Sequence, residues 1–249
     1  SGNSIYHGLQ LKFEKRLSGG LSFLGAYMWS KAIDDLIDNP PNPYNVRLER
    51  GLSDNHFPHR FVFSHNYDLP VGRGRRWLSS ASRPVDALLG GWAVAGITTF
   101  SSGDRVNTSV QGNPSNNGQT DRPDRIRDPG LPRSQRTLDR FFDTSAFVRQ
   151  AAFTFGNAPR NALEAPGLVN FDVAVYKQFA VTEQVSVQFR AESFNFTNTP
   201  PFGSPGAQFG SSGFGVISSA GDGRTVQFGL KLRWRVAERR VVRKASARV

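Results

Sequence analysis

The stretch that decides the fold is Thr225–Trp234, which reads Thr-Val-Gln-Phe-Gly-Leu-Lys-Leu-Arg-Trp. Successive side chains of a β-strand point to opposite faces, so this segment has one apolar face and one polar face. A strand of this kind that ends on an aromatic residue is typical of a wall between lipid and water. The apolar face carries Val226, Phe228, Leu230, Leu232 and Trp234.

Six earlier segments repeat this alternation, which predicts seven antiparallel strands in all. Each has about 10 to 12 residues, close to the roughly 9 to 11 that a tilted strand needs to cross a bilayer. The facing of the fourth segment stays open, because Ala93 and Ile97 compete with Trp92, Val94 and Phe100 for the apolar face. The six segments are residues 5–16, 21–31, 60–70, 91–102, 168–179 and 185–196.

The predicted connections alternate between shorter and long. The shorter ones are residues 17–20, 71–90 and 180–184, and the long ones are residues 32–59, 103–167 and 197–224. Successive connections of an antiparallel sheet lie at opposite ends, so all the long loops are expected at one end. This predicts an outer-membrane barrel with long extracellular loops and short periplasmic turns.

Composition excludes several other classes of protein. No apolar run reaches about 18 residues, which excludes a membrane-spanning helix. The absence of cysteine excludes a disulfide scaffold, a thiolate metal site and a thiol nucleophile. Of the net charge of +11, +5 lies in residues 235–249, which hold six basic residues and one glutamate. We expect this basic C-terminal extension to be disordered or helical and not to bind nucleic acid, because it lacks interleaved aromatic residues and nucleic-acid motifs.

An odd number of strands conflicts with the even number found in single-chain bacterial barrels. An unpaired strand edge is also not tolerated in lipid. Residues 1–234 are therefore predicted to be the C-terminal part, about seven strands, of a larger all-β, antiparallel, up-and-down transmembrane barrel. The alternative fold is a soluble β-sandwich, but it predicts polar turns every 8 to 12 residues or so, which the long loops contradict.

Several short motifs lie along the predicted strands and their connections. They are HRFVFS at 59–64, YDLP at 67–70, GRGR at 72–75, LGGW at 89–92, SSG at 101–103, FFDTSAF at 141–147 and RAESFN at 190–195. Together with the closing residues 227–234, they resemble the C-terminal barrel portion of TonB-dependent outer-membrane transporters. The Oar-like branch, whose members also carry an N-terminal carboxypeptidase-regulatory-like domain, is the most similar. The resemblance spans most of residues 4–234.

This resemblance implies a barrel of about 22 strands with an internal plug. It implies active uptake of a large or scarce solute, driven through the TonB complex, at the outer membrane of a Gram-negative bacterium. The implied partners are outer-membrane lipid, the plug and remaining strands upstream, TonB acting through that plug, the barrel-assembly machinery and an unidentified solute. The assembly signal would be Phe228, Leu230, Leu232 and Trp234. The extension beyond Trp234 departs from the pattern, since such barrels normally stop at the terminal aromatic residue.

Two sets of polar residues are candidate functional residues. Alternation predicts that Lys12, Glu14, Asp68, Asp172, Arg190, Glu192 and Lys231 face the lumen, as a hydrated charge network that touches the plug. The longest loop carries a polar cluster that could bind a sugar-like or peptide ligand, although a solvated loop is the simpler interpretation: Asn116, Asn117, Gln119, Asp121, Arg122 and Asp124. His56 and His59, with Asp54, have metal-ligand spacing but are expected to serve turn chemistry.

No paired carboxylates, catalytic triad or ligand cluster stands out, so we expect neither an enzyme nor a resident cofactor or metal. The leading hypothesis is a TonB-dependent importer in which this chain supplies the last strands and the extracellular capture loops. One alternative is a secreted β-sandwich that binds glycans or adhesion partners. The other is a passive, porin-like or structural outer-membrane barrel without a plug.

Overall fold

The computed structural model describes residues 2–182 and 184–234, and the structural statements below concern these residues. Seven long strands form the framework: β1 (Ser4–Ser18), β2 (Leu21–Asp34), β3 (His59–Asp68), β4 (Trp92–Ser101), β5 (Leu168–Ala180), β6 (Val185–Phe194) and β7 (Thr225–Trp234). The predicted basic extension, residues 235–249, lies outside the described residues.

The seven strands form one sheet in chain order, and each neighbouring pair is antiparallel. A two-residue strand, Gly51–Leu52, adds to the end of β2. Within the described residues, β1 and β7 are the two edges of this sheet and no ladder joins them. The predicted all-β antiparallel architecture is confirmed, whereas closure into a barrel is not seen in this part of the chain.

The ladder registers give the sheet one continuous apolar face. Phe171 pairs with Thr98 and Val173 with Gly96, which assigns the even-numbered positions of β4 to this face. The facing of β4 is thereby settled: Trp92, Val94 and Phe100 lie on the apolar face, and Ala93 and Ile97 on the other. The apolar face is lined by Leu9, Leu11, Phe13, Phe23, Tyr27, Phe61, Phe63, Trp92, Val94, Phe100, Phe171, Val173, Val175, Val187, Phe189, Phe228, Leu230 and Leu232.

The shorter connections lie at one end of the sheet. β1 turns into β2 through Gly19 and Gly20, both with positive φ, which glycine adopts without steric strain. The connection between β3 and β4 contains a helix that alternation did not predict, α1 (Arg83–Leu89). Pro84 stands in its first turn, where a missing backbone N–H leaves no helical hydrogen bond unmade.

The long loops gather at the other end and pack on one another. Short strand pairs join Arg105–Val106 to Leu163–Glu164, Ser109–Val110 to Gln208–Phe209, and Asp124–Arg125 to Phe147–Val148. Three 3-10 helices, Val46–Glu49, Arg133–Gln135 and Thr144–Ala146, complete the loops. A buried apolar cluster forms here from Phe142, Ala146, Phe147, Ala158 and Leu163, with Phe209 and Phe214 packed against it.

Apart from the last turn of α1, which is bonded to Trp92 and Lys177, the apolar face of the sheet has no second layer of described residues over it. The remaining sheets are two-stranded ladders between the loops. Leu230 is 76% exposed, and Leu9 and Leu11 are also exposed, while Phe63 and Val173 are partly exposed. A β-sandwich buries this face against another sheet, so the sandwich alternative does not fit. Among the described residues, no helix combines the length and apolar character needed to cross a membrane.

Substitutions at two adjacent threonines of β4 can show which face of the sheet contacts hydrocarbon. Thr98 pairs with Phe63 and Phe171 on the apolar face, and Thr99 pairs with Val62 and Asn170 on the polar face. We expect Thr98→Arg to destabilise the folded protein by about 2–4 kcal/mol, because a guanidinium near the middle of the bilayer loses its hydration. The matched control, Thr99→Arg, is expected to have a much smaller effect. Urea unfolding of the natural full-length protein in lipid vesicles measures both; equal losses would contradict the assignment of faces.

Candidate functional site: the polar face and the loop region

The seven residues predicted to face the lumen all lie on the polar face of the sheet. The registers place them on the side opposite to Phe63, Val173 and Leu230. They occupy β1 (Lys12, Glu14), β3 (Asp68), β5 (Asp172), β6 (Arg190, Glu192) and β7 (Lys231). They are not one cluster, because they spread over the width of the sheet.

A network of hydrogen bonds and one cation–π contact joins four strands on this face. The Tyr176 hydroxyl donates to Asn66 Oδ1, which links β5 to β3 across the intervening β4. This reach depends on small side chains in β4, since Ala93 pairs with Tyr176 and Ala95 with Asn66. Ala93 is buried as a result. Sequence reasoning missed Tyr176 and Asn66, although a tyrosine at a polar-face position opposite alanine was an available signal.

The network continues from Tyr176 to the β7 edge. The Arg190 guanidinium lies 5.8 Å from the centre of the Tyr176 ring and bonds to Glu192 Oε1 at 2.6 Å. Gln227 Nε2 then donates to Glu192 Oε2 at 2.7 Å. Arg190 and Glu192 are therefore held in place by neighbours on both sides, which gives the polar face an ordered, charged surface.

Three other predicted polar-face residues have separate roles. Lys12 and Glu14 form an exposed ion pair of 3.1 Å on β1, of a kind that contributes little stability in water. Asp172 Oδ1 accepts a hydrogen bond of 2.9 Å from the backbone N–H of Asn195, the residue that follows β6. Asp172 therefore fixes the point where the third long loop leaves the sheet.

The predicted ligand-binding residues of the longest loop are largely used to hold the loops together. Asp121 is fully buried and accepts from the Ser115 N–H at 2.8 Å, and Arg122 is buried against Glu49. Asn117 Nδ2 donates to the Pro41 carbonyl at 2.6 Å, and Asp124 Oδ1 accepts from the Asn157 N–H at 2.8 Å. Asn116 is exposed, and Asn117, Gln119 and Asp124 are partly exposed, so these four residues present some surface to a ligand.

Two buried ion pairs connect the first long loop to the second. Arg122 bonds to Glu49 and also donates to the Ala158 carbonyl at 3.1 Å. Arg160 bonds to Asp34 at the end of β2 and donates to the Leu36 carbonyl at 2.8 Å. Burial lowers the pKa of Arg122, and the charge of Glu49 opposes that shift. Each charge therefore depends on its partner to remain stable in the interior.

The histidine pair of the first long loop is occupied by local contacts. His56 is buried and its Nδ1 accepts from the Ala32 N–H at 3.1 Å, and burial lowers its pKa. His59 Nδ1 lies 2.8 Å from the Tyr27 hydroxyl. Asp54 accepts from Asn161 Nδ2 at 2.7 Å. The three side chains have different partners, and the described residues contain no group of three potential metal ligands.

A further acidic group stiffens the surface of the longest loop. Asp143 accepts from the hydroxyl and the backbone N–H of Ser145 and pairs with Arg127 and Arg140. The Ser145 hydrogen bond and the Arg127 charge lower the pKa of Asp143 to about 2. Because the folded-state pKa is lowered, this contribution to stability is present at neutral pH and is lost as the pH falls toward 2.

A small cavity of about 270 Å³ lies where the loops meet the polar face. Arg60 and Asp104 supply its charged groups, and Phe202 with Pro201 from the third long loop supplies an apolar side.

A family model described as an outer membrane beta barrel domain matches residues 1–227. The match covers most of the sequence, so the chain belongs to this family of outer-membrane β-barrel domains. Its location is therefore the bacterial outer membrane. No curated protein matches the chain.

The buried pair Glu49–Arg122 gives a prediction about loop stability. Glu49 is 1% exposed, so Glu49→Ala would leave the Arg122 guanidinium uncompensated in the interior, at a loss of about 3–5 kcal/mol. We expect the long loops to open and to be cut by protease added to intact cells, while the strands stay protected. Asp139→Ala removes an exposed carboxylate of the longest loop that forms no ion pair among the described residues, and this control should alter stability by less than about 1 kcal/mol. Unchanged protease resistance of Glu49→Ala would contradict the account.

Proposed function

We propose that this chain is the C-terminal part of a plugged outer-membrane barrel that imports a solute by TonB-dependent transport. The observation that carries the proposal is the combination of an ordered, charged polar face with a pre-folded loop region above it. A lipid-facing wall alone requires neither feature. The loops would capture the solute, and the polar face would border its path.

The two open edges support a larger barrel. In hydrocarbon, each unsatisfied backbone N–H or C=O costs several kcal/mol, so spanning sheets close on themselves. In the proposal, β1 pairs with a preceding strand of the full-length protein and β7 pairs with the first strand of the barrel. The exposed apolar residues of β7, which end at Trp234, would present the signal that the barrel-assembly machinery recognises.

The polar network supports a plug as the internal partner. Arg190 and Glu192 are already paired with Tyr176, with each other and with Gln227, and such an ordered surface suits contact with a folded domain. Plug movement, driven by TonB acting on a segment outside this chain, would open a path past these side chains. The function requires no chemistry on the solute, in keeping with the expectation that the chain is not an enzyme.

A passive pore is the second candidate, and conductance separates it from a plugged transporter. We expect the natural full-length protein to show little ion conductance in a planar bilayer, and a large increase once the plug is selectively unfolded with urea. We also expect the full-length protein to be cross-linked to TonB in intact cells. A large conductance before urea treatment, together with the absence of a TonB cross-link, would contradict the proposal and favour the passive barrel.

A further inference from the structure

The connection between β3 and β4 is a folded unit at the end of the sheet opposite to the long loops. We call residues 70–91 the rim loop. The Trp77 N–H donates to the Pro70 carbonyl and the Gly72 N–H to the Trp77 carbonyl, both at 2.9 Å. Asp86 of α1 accepts from the Arg73 N–H at 2.6 Å. Gly72 has a φ of 124° and no room for a Cβ. The rim loop therefore has a defined shape.

Two side chains of the apolar face hold the end of α1. Trp92 Nε1 donates to the Leu88 carbonyl at 3.0 Å, and Lys177 Nζ donates to the Ala87 carbonyl at 2.6 Å. Trp92 and Lys177 are cross-strand partners on β4 and β5. Because Trp92 and Lys177 belong to the apolar face, the last turn of α1 lies on the lipid side of the sheet and not on its polar side.

Lys177 is suited to this position by its surroundings. It is only 3% exposed, and its ammonium lies 5.4 Å from the ring centre of Trp92 and 5.0 Å from that of Phe179. A positive charge is favourable near the carbonyl end of a helix and over aromatic rings. Lys177 thus attaches α1 to the sheet, with its ammonium bonded to a helix carbonyl and lying beside two aromatic rings.

The outer surface of the rim loop combines apolar and cationic groups. Leu88 is 70% exposed, and Trp77, Leu78, Val85 and Leu89 are exposed beside it. The same loop exposes the side chains of Arg73, Arg75, Arg76 and Arg83, none of which forms an ion pair with a carboxylate among the described residues. Exposed leucine and tryptophan next to unpaired arginine is the pattern of a segment that lies in a membrane interface.

We propose that the rim loop is a binding site for anionic phospholipid in the periplasmic leaflet of the outer membrane. The arginines would contact headgroup phosphates, which guanidinium groups bind in a bidentate manner. Leu88, Leu89 and Trp77 would enter the acyl-chain region beside the apolar face. A protein partner is less favoured, because the last turn of α1 lies on the face that borders lipid. The inference uses the outer-membrane location and short periplasmic turns, and it depends on neither a plug nor TonB.

Native mass spectrometry of the purified full-length protein tests this site. The protein is exchanged into micelles that contain equal amounts of phosphatidylglycerol and phosphatidylcholine, and the retained lipids are counted. We expect selective retention of phosphatidylglycerol. Replacing Arg73, Arg75, Arg76 and Arg83 together by glutamine should lower this retention roughly tenfold or more, because each basic residue near an anionic lipid surface contributes about fivefold. High salt should also weaken the retention of phosphatidylglycerol, because it screens the attraction between the arginines and the lipid phosphates.

The matched control replaces four exposed arginines of the long loops, Arg47, Arg50, Arg125 and Arg133, by glutamine. This variant has the same net charge as the rim-loop variant and should retain phosphatidylglycerol as the unaltered protein does. Heat-modifiable mobility on gels shows whether each variant is folded. As a second test, Leu88→Gln with Leu89→Gln should shorten lipid retention while leaving all the arginines in place. Equal retention of the two lipids, or equal losses in the two four-arginine variants, would overturn the proposal.

Discussion

The structure depends on backbone hydrogen bonding in a medium that offers none of its own. A strand surrounded by hydrocarbon must satisfy its N–H and C=O groups through neighbouring strands. Six consecutive antiparallel ladders do this for β2 to β6 on both sides and for β1 and β7 on one side. The hydrocarbon also takes the place of a second layer over most of the apolar face, since lipid covers side chains that a soluble sheet would bury against protein.

The loop region is stabilised by other interactions, because it lies outside the hydrocarbon. Its stability comes from a buried aromatic cluster around Phe142 and Phe147 and from the ion pairs of Arg122 and Arg160. Asp34 and Asp172 lie at the junctions, one at the end of β2 and one bonded to Asn195 after β6. The seven-stranded sheet therefore positions the loops, and the loops have a core of their own. This division allows the loop surface to vary without disturbing the wall.

The seven strands of the sheet could be predicted from sequence alone, because apolar residues recur at every second position in a strand between lipid and water. The last strand was predicted at residues 225–234 and has the bounds Thr225–Trp234. Alternation could not orient β4, where small residues and threonine occupy positions on both faces; pairing with β3 and β5 was required. It also missed α1, since seven residues are too few to show a helical period. Glu49 and Arg122 are 73 positions apart, so no local sequence pattern indicates that they pair. For that reason the polar residues Asp121 and Arg122 were expected in a solvated loop, although both are buried.

The central claim is that one face of this sheet touches hydrocarbon and the other touches water. This chain has no cysteine, so a spin label can be attached to single cysteines placed one at a time at residues 169–176 of β5, in the natural full-length protein with any cysteine outside this chain replaced by serine. The account predicts that positions 169, 171, 173 and 175 are accessible to oxygen dissolved in lipid. Positions 170, 172, 174 and 176 should respond to a water-soluble nickel reagent wherever the plug leaves them open. Labels at 171, 173 and 175 that oxygen cannot reach, or that the nickel reagent reaches freely, would contradict the account.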